Sequence, residues 1–101
     1  MSEFIEIAKK GLDKCLIQEG LDPQRLHLHV SEIAPGTRAH LPHSHLGTEI
    51  FYVLSGTGVF EMDGKLVELR ENQAVIFDPQ TLHGLVNTGS TPLRYIVIIS
   101  Q

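Results

Sequence analysis

The sequence predicts an all-β fold, a sandwich or small barrel of the jelly-roll kind, on three observations. From Leu26 onward, short runs rich in Val, Ile, Phe and Tyr are broken every few residues by Gly, Pro, Asn or Asp. An Asp63-Gly64 pair stands between two alternating runs, the strongest short-range signal for a hairpin. Helical periodicity is weak throughout the same region. Seven or eight short strands in about 75 residues make two layers around one core.

Taken in order, the first 25 residues are the least patterned. Phe4, Ile5 and Ile7 suit an edge strand, whereas AKKGLDKCLIQEG carries two glycines that weaken a helix, so 1–25 is an N-terminal arm or pair of edge strands. LHLHVSEI, Leu26 to Ile33, alternates apolar and polar. Leu28 and Val30 are expected to face the core, with His27 and His29 on the other side as exposed strand residues. Pro35 and Gly36 end that strand. The run Ile50 to Leu54 is apolar and β-branched, and the Asp63-Gly64 pair closes the hairpin that follows. AVIF, Ala74 to Phe77, is a short buried strand stopped by Asp78 and Pro79, and LRYIVIIS, Leu93 to Ser100, is the last strand.

Composition sets the limits. A chain of 101 residues is one domain, removing roughly two-thirds of its unfolded surface from water. Its hydrophobic fraction of 42%, charged fraction of 20% and mean hydropathy of +0.01 indicate a compact soluble domain. A net charge of −4, with only eight scattered basic residues, argues against nucleic acid as a partner. No apolar run approaches the roughly 20 residues of a membrane helix, so no membrane partner is expected. The N-terminus has no apolar signal-peptide region, and a lone Cys15 suits a reducing cytoplasm, so the expected location is cytoplasmic.

The chemistry concentrates in HLPHSHLGTEIFYVLSGTG, His40 to Gly58. On an extended segment, residues i and i+2 project from one face about 6.5 Å apart, so His43 and His45 can converge on one ion through bonds near 2.1 Å. On a helix they would diverge by about 200°. A straight strand would carry Glu49 about 20 Å from His43, so Leu46 to Thr48 must turn the chain, and Gly47 makes that bend sterically cheap. If Glu49 points inward, so do Phe51 and Val53, and a carboxylate at the head of an apolar face is costly unless it meets a cation. His83, after the turn Asp78-Pro79-Gln80-Thr81-Leu82, is a fourth candidate that a sandwich can return beside an earlier strand.

These residues resemble the cupin superfamily, double-stranded β-helix or jelly-roll proteins. The family's first motif runs from a glycine through HxH to a glutamate and a second glycine. Gly36, His43, His45, Glu49 and Gly56 match it, with one extra residue between Gly36 and His43. The second motif has His83 and Asn87 in register, while Asn72 and Gln80 occupy its glycine positions and Asp78 its first proline. Motif 1 thus covers 36–56, motif 2 covers 72–87, and a single cupin domain is expected over 1–101 with its barrel over 26–100.

The resemblance implies that His43, His45, Glu49 and His83 bind one divalent transition metal per chain (Fe, Mn, Ni, Co, Cu or Zn) inside the barrel, with Asn87 in a supporting turn. His40, Arg38 and Tyr95 are candidates for contacting a small-molecule ligand. It implies a metal-dependent enzyme on a small molecule, such as a dioxygenase, isomerase or lyase; a non-catalytic binding or sensing module for a small molecule or sugar is the alternative. Small cupins typically dimerise, so a homodimer is expected, with the apolar alternation of Ser2 to Ile7 suited to joining a partner's sheet.

Overall fold

A computed structural model of the chain describes residues 3–39 and 44–101. Among these residues there are nine strands and no helix: β1 (Phe4–Ile7), β2 (Cys15–Gln18), β3 (Leu26–Ile33), β4 (Thr48–Ser55), β5 (Thr57–Met62), β6 (Lys65–Arg70), β7 (Ala74–Phe77), β8 (His83–Asn87) and β9 (Leu93–Ser100). Strands β3, β7 and β9 have the bounds that their alternating or β-branched runs predict. Asp63 and Gly64 both take positive φ, 50° and 74°, and Met62 pairs directly with Lys65, which makes the two-residue type I′ hairpin.

One antiparallel sheet has the order β3-β9-β4-β7, the other β6-β5-β8. Their facing sides supply the core: Phe51, Val53, Leu93, Tyr95 and Val97 from the first, Phe60, Leu69 and Leu85 from the second. Because β9 lies between β3 and β4, residues in register share a face, and the inward rows run His27–Ile99–Glu49, His29–Val97–Phe51 and Ser31–Tyr95–Val53.

Those rows reverse the orientation that alternation alone suggests for β3. His27, His29 and Ser31 face into the barrel; Leu28 helps line an apolar cleft against Ile7, Cys15 and Ile17, and Val30 is buried at 8% exposure. The cause is the N-terminal segment. β1 and β2 form an antiparallel hairpin, and the link between them crosses β3, where Val30 N donates to Lys10 O at 2.9 Å. A Cβ on Gly11 would lie 2.3 Å from Val30 O, so this crossing needs glycine. With both faces of β3 covered, apolar residues can occupy the outer one, and the polar set is free to line the interior.

Asn87 ties the second motif to the end of β3. It is fully buried; its Nδ2 donates to Ile33 O at 2.9 Å and Thr91 O at 2.8 Å, and its Oδ1 accepts from Gly89 N at 2.9 Å. Asn87→Ala removes all three of these hydrogen bonds, one of them fully buried, so a loss of about 3 kcal/mol in unfolding free energy is expected by urea denaturation. A loss under about 0.5 kcal/mol would show that the turn holds without it.

Candidate metal centre

β4 carries Glu49 inward, and its alternation leaves Glu49, Phe51 and Val53 at 3%, 3% and 0% exposure. The bend before it depends on Gly47, whose φ is 110° and whose Cβ position would lie 2.5 Å from Ser100 O. That bend returns His45 to Glu49, with Nε2 at 2.8 Å from the carboxylate Oε1. The backbone holds it there, since His45 N donates to Pro79 O at 2.8 Å.

His83 arrives from the opposite sheet as the first residue of β8. Asp78 organises the turn before it: its side-chain oxygen accepts from Gln80 N at 3.0 Å, and its carbonyl accepts from Thr81 N at 3.3 Å. The imidazole is fully buried, 4.8 Å from the Phe77 ring and 5.0 Å from that of His45, centroid to centroid. Its Nε2 stands 3.2 Å from the same Glu49 Oε1. One donor atom each from His45, Glu49 and His83 thus lies within 4.8 Å of the other two.

Hydrogen bonding fixes what these atoms offer. Nδ1 of His83 donates to Thr81 O at 2.9 Å, and Nδ1 of His45 donates to Leu46 O at 3.1 Å. A carbonyl only accepts, so each ring carries a proton on Nδ1 and turns its Nε2 toward Glu49. Burial pushes the Glu49 carboxyl above the usual carboxylate range, and the two imidazoles pull it partly back. Three electron-pair donors around one point, two nitrogens and an oxygen, suit a divalent transition-metal ion. The carbonyls behind the imidazoles are the outer partners such ligands use.

The centre opens on a cavity of about 480 Å³, lined among the described residues by Phe51, Tyr95 and Val97 beside His45 and Glu49, and by His27, His29 and Ser31 from β3 on the same sheet. Burial, with the charge of Glu49, raises the Tyr95 phenol above its ordinary value, while a hydrogen bond with Ser31 opposes it, so Tyr95 meets the cavity as a neutral hydroxyl. Rings of Phe51, Phe60 and Phe77, 4.7 to 5.8 Å apart, form an apolar floor.

Of the residues that the sequence singles out, the structure gathers His45, Glu49, His83 and Tyr95. His40 and His43 lie outside the described residues. Arg38 is not brought to this cavity: its Nη2 pairs with Glu61 Oε1 at 2.9 Å, and its backbone bridges to Val86 on β8. Sequence reasoning missed the inward set of β3 and Lys10, whose Nζ donates to Ser31 Oγ at 3.2 Å. The polar positions 27, 29 and 31 carried the period-2 signal for one face, but nothing local told which face was inside.

The comparisons with known proteins agree with this architecture. Residues 29–99 match the Cupin domain family (Cupin_2). The oxalate-binding protein of Thermotoga maritima is 36% identical over 69 residues, covering 67% of this chain, which spans only 56% of that relative. A Thermotoga maritima structure described as a predicted oxalate decarboxylase is similar at TM-score 0.69 and 28% identity, over 99% of this chain and 92% of that one. The cupin domain of an XRE family transcriptional regulator from Enterobacter cloacae is similar at TM-score 0.69 and 26% identity, over 76% and 82% of the two chains. A family match over most of the chain, on a double-stranded β-helix whose two motifs meet at His45, Glu49 and His83, makes this protein a member of the cupin superfamily.

Proposed function

We propose that this cupin binds a small carboxylate inside its barrel and acts on it there, at a divalent transition-metal ion held by His43, His45, Glu49 and His83. The observation that carries this reading is the convergence of two imidazole Nε2 atoms on a buried carboxylate oxygen, at 2.8 and 3.2 Å. Two imidazole nitrogens and a buried carboxylate gathered at one point are a donor set that suits a divalent cation. When bound, the ion supplies Lewis acidity toward a ligand oxygen.

The chain's own groups do the rest. Tyr95 offers a neutral hydroxyl to a carboxylate oxygen, with Ser31 beside it. The aromatic floor of Phe51, Phe60 and Phe77 excludes water and holds the His83 ring in place. A carboxylate substrate, and a lyase reaction on it, are supported by the likeness to relatives described as an oxalate-binding protein and a predicted oxalate decarboxylase. A second reading, ligand binding without turnover, is favoured by the likeness to the cupin domain of a transcriptional regulator.

Purified protein is expected to carry close to one transition-metal ion per chain by elemental analysis. His45→Ala and His83→Ala should each lower the content to about a tenth or less while the β-sheet circular dichroism persists. Occupancy should fall below about pH 6, because imidazoles bind metal only when neutral. Absence of metal after repletion with each candidate ion would overturn the metal centre. With loaded protein and oxalate, formation of carbon dioxide and formate separates the two uses; heat of binding without product favours the second.

A further inference from the structure

The cavity has a second polar wall that the metal centre does not use. His27, His29 and Ser31 are successive inward residues of β3, and Lys10 reaches them from the segment that crosses the outer side of that strand. The reach is fixed at its base, since Lys10 O accepts from Val30 N at 2.9 Å and Gly11 packs against the Val30 backbone. At the open end, His27 Nε2 lies 3.3 Å from Gln101 Oε1.

This wall is a poor place for a cation. Glu49 is the only acidic side chain among the described lining residues, and it stands two strands away on β4. The environment of His29 is positive: burial, Lys10, His27 and Lys9, in that order, all disfavour its protonated form. An ammonium, two imidazoles and a hydroxyl in one partly enclosed wall are instead the donors an anion needs.

We infer that Lys10, His27, His29 and Ser31 form an anion subsite, and that the ligand is a short-chain dicarboxylate with one carboxylate at the metal centre and the other on this wall. The inference rests on the metal-centre reading and adds the ligand's second charge. With β9 between them in one sheet, β3 and β4 are about 10 Å apart at the backbone. Side chains rising from the same face of both strands leave between them a gap that a chain of a few atoms spans, within a volume of about 480 Å³.

The test uses calorimetric titration of metal-loaded protein with acetate, malonate, succinate and glutarate, after elemental analysis of each sample. The best dicarboxylate is expected to bind at least about tenfold more tightly than acetate, the factor one charge-assisted contact supplies. Lys10→Met and His29→Leu should each remove most of that preference while metal content and acetate affinity stay near those of the native chain. A loaded protein with no such preference, or with the preference intact in both variants, overturns the anion subsite alone. A protein that holds no metal overturns the metal centre and this inference together.

Discussion

One buried carboxylate organises this end of the barrel. Glu49 is 3% exposed at the head of a strand whose next inward residues are Phe51 and Val53. Taking an ionised carboxylate out of water costs several kcal/mol even after the protein relaxes. The chain offsets that cost by surrounding Glu49 with groups from two separate segments rather than by exposing it. His45 comes back around a glycine bend, His83 comes from the facing sheet, and backbone carbonyls orient both rings.

The two sequence motifs are therefore two halves of one structural device. Motif 1 supplies the strand, the Gly47 bend and His45; motif 2 supplies the turn that aims His83 and the Asn87 that anchors the far end of the same strand. The departures in motif 2 fall where other chemistry substitutes. Asn72 holds φ at 63°, as a glycine would, and accepts the Tyr52 hydroxyl at 2.9 Å; Asp78 closes its turn with a side-chain hydrogen bond where a proline would have stiffened it. Changes at turn positions leave the ligand geometry alone as long as the backbone path is kept.

Most of the fold and the centre of the site were legible because they depend on local rules. Period-2 alternation, the Asp-Gly hairpin and the need of an inward carboxylate for a cation each act within a few residues. The misreading of β3 has a different origin. Alternation separates the two faces of a strand but does not say which is interior, and LHLHVSEI offered an apolar face that looked like the core side. That face packs against the N-terminal segment, an association between residues about 20 apart that no local pattern encodes. Lys10 enters the cavity wall by the same long-range route, and left no local signal.

That covering segment changes the chemistry of the cavity as well as its walls. Had β3 been an ordinary edge strand with one wet face, the apolar Leu28 and Val30 would have turned inward and the barrel would be greasy opposite the metal ligands. Because the hairpin and its link shield the outer face, the interior can afford His27, His29 and Ser31, and the same link delivers an ammonium to them. The cavity is then asymmetric in charge, with a carboxylate and its imidazoles at β4 and a basic set two strands away at β3. A neutral sugar would gain little from that separation, whereas a ligand carrying negative charge at both ends matches the proposed metal centre at one end and Lys10 at the other.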